Sequence, residues 1–125
     1  MTGTWSGTLT APGATISVAA VLTEDTSQTD TTMGQVTGTL AIGGSTCFSA
    51  SSPLNLPAWT STGVSQSYHA GESMIINTAP DANGQAVLAS GTVDPLSTTM
   101  VFVYGFTVHG GPCDGQSFAG SLTMQ

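Results

Sequence analysis

The sequence predicts an all-β fold: an antiparallel meander of about eight strands forming a small closed barrel, with a β-sandwich as the alternative. Three observations carry this. Helix formers are scarce and β-branched residues abundant, which favours strands before any periodicity is counted. Apolar residues recur at alternate positions over short runs. The runs are joined mostly by tight turns built from Gly, Pro and Asn. At 125 residues the chain has the usual size of one domain, and 1–125 is read as a single unit.

The elements follow in order. Thr4 to Thr10 alternates, with Trp5, Gly7 and Leu9 on one face and Thr4, Ser6 and Thr8 on the other. Ala11-Pro12-Gly13-Ala14 is a turn, and Thr15 to Thr23 follows with Ile16, Val18, Ala20 and Leu22 inward. Glu24 to Thr32 is a polar loop holding Glu24, Asp25 and Asp30. Gln35 to Ile42 returns as a strand, with Val36, Gly38, Leu40 and Ile42 on one face. Gly43-Gly44 turns into a short strand, Ser45 to Ser49, that contains Cys47.

Ala50 to Gly63 is the longest irregular stretch, with Pro53, Pro57 and Trp59. Val64 to His69 and Ser73 to Thr78 read as short strands around Ala70-Gly71-Glu72. The Asn83-Gly84 pair marks a turn, because both residues tolerate positive φ. Gln85 to Val93 and Thr98 to His109 then pair across Asp94-Pro95-Leu96-Ser97. The second of these is apolar on both faces, Met100, Phe102, Tyr104 and Phe106 against Val101 and Val103, and is placed centrally. Gly110 to Gly115 is a loop, and Gln116 to Met124 is the last strand.

An internal echo links three segments: Gly3 to Thr10, Gly34 to Ala41 and Gly115 to Thr123. In each, a bulky residue (Trp5, Val36, Phe118) precedes a Gly by two positions and a Leu follows that Gly by two. A Gly in the middle of an inward face lets a strand coil sharply, as small antiparallel barrels require. The likeness of the first and last copies suggests that the terminal strands pair. The alternative is convergence in a Gly/Thr-rich chain.

Composition excludes several functions. The chain has no Lys and no Arg, seven Asp/Glu and a net charge of −7. Nucleic-acid binding, which needs cations against phosphate, is excluded. So are Arg/Lys clamps on phosphate or carboxylate, lysine Schiff-base chemistry and basic membrane-surface helices. Ser, Thr and Gly supply 52 residues, yet the 39% apolar content can support a core rather than a disordered chain. No apolar run approaches the ~20 residues of a membrane helix, so no transmembrane segment is expected. Met1 followed directly by Thr2-Gly3-Thr4-Trp5 reads as a start placed before a mature domain.

Cys47 and Cys113 are the only cysteines, 66 positions apart and without C-x-x-C spacing. A disulfide is the simplest reading in a chain of this composition, two buried free thiols the alternative. Such a bridge would contribute about 4 kcal/mol in the chain-entropy view and would favour an extracytoplasmic setting.

Gly3-Thr4-Trp5 resembles the G-x-W start of the calycin barrels, lipocalins and avidins. That family packs a late Arg over the Trp, and this chain has none, so no ligand contact is carried over. Segments 3–10, 34–48 and 110–123 more closely resemble secreted bacterial lipoprotein-type β domains of unknown function. These have repeated G-T-W-S-G-T-L-T and V-x-G-T-L strands, a mid-chain Cys and a Gly-Gly-x-Cys loop before a final G-x-L-T strand. The resemblance implies a secreted or envelope location and a Cys47–Cys113 bridge; it implies no activity.

Candidate sites are few. His69 and His109 are 40 positions apart and lack the short spacing of a zinc pair. Asp81-Ala82-Asn83-Gly84 starts like a calcium loop but lacks the acids to finish one and reads as a turn; the Glu24-Asp25…Asp30 loop suits calcium slightly better, since its clustered acids have no cation to compensate them. No metal and no cofactor is assigned. Neither G-x-S-x-G nor another nucleophile elbow occurs, and Glu72 with an Asp supplies carboxylates without a pattern, so no catalytic residue is assigned. For binding, Trp59 on the 50–63 loop, with Tyr68 and His69 shortly after, suits a carbohydrate or other small uncharged ligand at a barrel mouth. The bland reading is that Trp59 folds back to plug the barrel end. The third class is structural: an edge without lysine gatekeepers invites strand pairing, as in a self-assembling surface filament or adhesive fibre. The sequence therefore predicts a non-enzymatic, extracytoplasmic binding module or, alternatively, an assembling subunit.

Overall fold

The computed structural model describes residues 3–25, 34–43, 54–55, 63–64, 73–78, 80, 84–94 and 98–125; for 24–25, 34–36, 54–55, 63–64 and 73–75 it describes the backbone alone. Every element among them is a strand. Seven have five residues or more: β1 (Gly3–Ala11), β2 (Ala14–Asp25), β3 (Gly34–Gly43), β6 (Ser73–Asn77), β7 (Ala86–Val93), β8 (Thr99–His109) and β9 (Ser117–Met124). Two are only two residues long, β4 (Leu54–Asn55) and β5 (Gly63–Val64). All pairings are antiparallel and all strands belong to one curled sheet, not to two stacked ones. The all-β meander expected from alternation and turn chemistry is what the chain forms.

The first hairpin shows how local chemistry fixes register. β1 and β2 pair from Gly3↔Leu22 to Ala11↔Ala14, leaving Pro12 and Gly13 as the turn. Proline presets the first corner, and Gly13 at φ 79° takes the positive value that a type II turn demands at the second. The register then sets Leu9 opposite Ile16 and Trp5 opposite Ala20, and these four residues are buried. A slip by one residue would turn the whole apolar set outward.

The repeated Gly-x-Leu motif explains the curl. The terminal strands do pair: β1 lies beside β9 with Gly7↔Leu122 and Leu9↔Gly120, so each Gly faces the Leu of the other copy. The middle copy repeats the arrangement, with Gly38 opposite Leu22. A Cβ at Gly7, Gly38 or Gly120 would collide with the carbonyl oxygen of Ser121, Val21 or Thr8 respectively. Only hydrogen fits where neighbouring backbones approach this closely.

Inside the sheet lies one apolar cluster. Trp5, Phe102, Phe106 and Phe118 are its largest members and are fully buried among Leu9, Ile16, Leu22, Leu40 and Ile76. Each large side chain stabilises by about 1.5–3 kcal/mol when buried. With no Lys or Arg in the chain, this packing and the backbone ladders carry the cohesion.

One inward assignment needs correction. Simple alternation along β8 places Tyr104 with Phe102 and Phe106, but Tyr104 is exposed. The pairing with β9 runs from Phe102↔Gly120 to Phe106↔Phe118, so four steps on β8 match two on its partner. The β7 side shows the same irregularity, between Ala89↔Phe106 and Thr92↔Val101. The extra pair of residues forms a bulge with Tyr104 at φ 53°. Because two residues are added, parity is restored, and Phe106 and Val108 return to the core. β8 is central, paired on both sides, yet its second apolar face is uncovered: Val101 and Val103 are exposed. Cys47 and the Ser45 to Ser49 strand lie outside the described residues, as does most of the stretch from Val64 to His69.

Candidate functional site

Trp59, Tyr68 and His69, the residues the sequence singles out for ligand contact, all lie outside the described residues. Of the two cysteines, Cys113 is described, and among the described residues no cysteine is free. His109 closes β8 and is exposed. Among the described residues no group of three or more His, Cys, Asp or Glu is placed to hold a metal.

Cys113 sits 7% exposed in the loop between β8 and β9, and the loop is built tightly around it. The Gly115 amide donates to the Val108 carbonyl at 2.8 Å, and the Val108 amide to the Gln116 carbonyl at 2.9 Å. The Gln116 amide donates to the Cys113 carbonyl at 3.0 Å. Asp114 Oδ1 accepts the Gly110 amide at 2.7 Å. Gly111 lies against the buried Gln85 side chain, so the loop covers one end of the apolar cluster. At the same end Thr78 extends the ladder: its amide donates to the Val87 carbonyl at 2.8 Å, and its Oγ1 accepts the Val87 amide at 2.7 Å.

The turn after β7 is organised by Asp94. Its Oδ1 accepts the Thr98 and Thr99 amides at 2.5 and 2.9 Å, and its Oδ2 accepts the Thr98 hydroxyl at 2.6 Å. The Thr98 hydroxyl first, then the Thr99 amide, hold this exposed carboxyl below its ordinary value of 3.8. These bonds are structural, since all of them close one turn.

The outer surface is different in kind. Strands β1, β7, β8 and β9 contain no Asp or Glu, so apart from His109 at the end of β8 their exposed side chains are hydroxyl and hydrocarbon. Around the β8 bulge it becomes apolar: Val103 is 79% exposed, Tyr104 61%, Leu88 46% and Val101 39%. The bulge is closely packed from below. Beneath it Phe102 and Phe106 make an edge-to-face pair with ring centroids 5.4 Å apart. Gly91 leaves room for the Phe102 ring, and a Cβ at Gly105 would strike the Ser90 carbonyl. Sequence reasoning missed this knuckle. Its available signal was Gly105 inside an apolar strand run, which marks a bulge or a close backbone approach.

The geometry defines a class, a curled antiparallel β domain with an apolar cluster inside the sheet and no Asp or Glu on four of its strands, β1, β7, β8 and β9. No protein-family model, curated protein or solved structure matches the chain.

Proposed function

We propose that the chain is a non-enzymatic, extracytoplasmic β-barrel module, secreted or attached to the cell envelope, that recognises an uncharged ligand, carbohydrate in class, at its surface. What supports this reading is the sequence, which sets Trp59 and Tyr68 in and just after the irregular 50–63 stretch and supplies no Lys or Arg. The buried cluster of Trp5, Phe102, Phe106 and Phe118 counts against a ligand held inside the sheet, so in this reading recognition belongs to the loops and outer faces. Closure into a barrel is supported by the pairing of β2 with β3 as well as β1, together with the β3–β5 and β5–β6 pairings. The absence of any cation in the sequence restricts the ligand to one that needs no counter-charge from Lys or Arg.

Trp59 and Tyr68 supply the stacking surfaces in this reading, with His69 beside them. Binding to a panel of neutral oligosaccharides and insoluble polysaccharides tests it. Trp59→Ala and Tyr68→Ala should each weaken binding at least about tenfold. No binding to any neutral glycan, or binding indifferent to Trp59, contradicts it.

The extracytoplasmic setting rests on a Cys47–Cys113 bridge, consistent with the burial of Cys113 and the lack of a free cysteine among the described residues. Alkylation of the unfolded, unreduced chain should add no mass; two adducts contradict the bridge.

A second reading, self-assembly, is favoured by the exposed apolar side chains around the β8 bulge.

A further inference from the structure

We propose that the Asp94–Pro95 bond is a latent self-cleavage site, with the Asp94 carboxylate as its nucleophile and Thr98 and Thr99 as the latch that restrains it. The proposal stands apart from the ligand reading. It starts from the sequence, in which Asp94-Pro95 is the single Asp-Pro pair. An aspartate oxygen can close a five-membered ring onto its own main-chain carbonyl carbon, and a carboxylate is a competent nucleophile when so held. Proline makes the following amide a tertiary one without an N–H, and its ring nitrogen departs once protonated. The step balances as a hydrolysis. A carboxylate oxygen of Asp94 attacks the Asp94 carbonyl carbon while the Pro95 nitrogen takes a proton from solvent. The carbon–nitrogen bond breaks, leaving a cyclic anhydride on Asp94 and a secondary amine on Pro95. Water then opens the anhydride to two carboxyl groups, so one water is consumed and acid is the catalyst.

The fold shows what holds this chemistry in check. Asp94 Oδ1 accepts the Thr98 and Thr99 amides at 2.5 and 2.9 Å, and Oδ2 accepts the Thr98 hydroxyl at 2.6 Å. The Asp94 amide donates to the Thr99 carbonyl at 3.0 Å, and the Met124 amide to the Thr98 carbonyl at 2.9 Å, which ties the latch to β9. Both carboxylate oxygens are engaged, so an attacking oxygen must first give up donors. The same bonds keep the carboxyl ionised to lower pH, so the restraint acts on its position and lone pairs and not through protonation. Only hydrogen bonds and burial act on Asp94, with no charged side chain among the described residues contributing. Thr98 is exposed, so water reaches the turn. Acid supplies the proton, and opening of the turn frees the oxygen. A cut here releases no fragment. Residues 95–125 carry β8 and β9, which pair with β7 and β1 and bury Phe102, Phe106 and Phe118. The product is a nicked but whole β domain with a new amine at Pro95, a cation in a chain that has no Lys or Arg.

The test is incubation of the full chain at about pH 3, near the titration of an ordinary Asp, both folded and in guanidinium chloride, read by mass spectrometry. Near-UV circular dichroism of the same samples verifies which are folded. The expected products are 1–94 and 95–125, forming at least about tenfold more slowly in the folded chain than in the unfolded one. The folded, nicked chain should still elute with the intact one in size exclusion. Thr98→Val removes the hydroxyl and keeps both amides; while folded it should cleave several-fold faster than the parent, and when unfolded no faster. Thr98→Ser, which keeps the hydroxyl, should behave like the parent, separating the latch from general loosening of the turn. Asp94→Asn should lose the cleavage. Four results overturn the proposal: no cut after Asp94 in the unfolded chain, equal rates folded and unfolded, a folded Thr98→Val no faster than the parent, or the same fragments at the same rate from Asp94→Asn.

Discussion

At the scale of single residues, two side chains hold positions that alternation alone does not announce. Tyr104 occurs in a run, Met100 to Phe106, where every second residue is apolar, and the period-two rule sends it inward. The rule fails because it counts residues, whereas the sheet counts paired steps, and β8 takes two more steps than its neighbours there. Asp94 is the other case. From sequence it is one member of an Asp-Pro turn; in the fold its carboxylate gathers three donors from Thr98 and Thr99. A folded-state value below 3.8 means that Asp94 contributes stability above the unfolded value, and that the contribution is lost as pH falls through the folded value. We therefore expect Asp94→Asn to lower the melting temperature at neutral pH. The gap between parent and variant should shrink progressively below about pH 4, read from thermal melts across pH 7 to 2. A gap that widens in acid would mean that the carboxylate is not the stabilising form.

At the scale of strands, the Gly-x-Leu repeat is where sequence and structure agree most closely. Its three copies were legible because an inward Gly flanked at two residues by large apolar groups has a physical purpose, close backbone approach at a coil. Gly7, Gly38 and Gly120 meet that purpose. The two-residue hairpin at Pro12-Gly13 was legible for the same reason, since its chemistry is local. The knuckle on β8 was not, because a bulge depends on the lengths of the strands on either side. Those lengths are a property of the sheet and not of the run itself. Gly120→Ala tests the role of the motif: its Cβ would meet Thr8 backbone and Leu9 side chain from a residue held at φ 152°. The expected cost is about 3 kcal/mol or more, measured by denaturant unfolding, against a surface change such as Thr123→Ala at about 0.5 kcal/mol or less. Equal effects from the two would contradict the close-approach account.

At the scale of the whole molecule, the missing cations organise everything else. Cohesion falls to the apolar cluster, the ladders and the proposed bridge, and solubility to hydroxyls and seven acids. Charge was fully legible in the sequence, but its placement was not, since which acids share a face depends on topology. Among the described strands, the neighbours β1, β9, β8 and β7 hold no Asp or Glu, and an apolar knuckle lies on β8. The central claim, that the chain recognises an uncharged, carbohydrate-class ligand, has a direct signature in ionic strength. Recognition that uses no Lys or Arg counter-charge is nearly indifferent to salt. Binding of neutral polysaccharides from about 20 to about 500 mM NaCl is the measurement. The account predicts an affinity that salt changes little; no binding to any neutral glycan, or binding that falls steeply as salt rises, would contradict it.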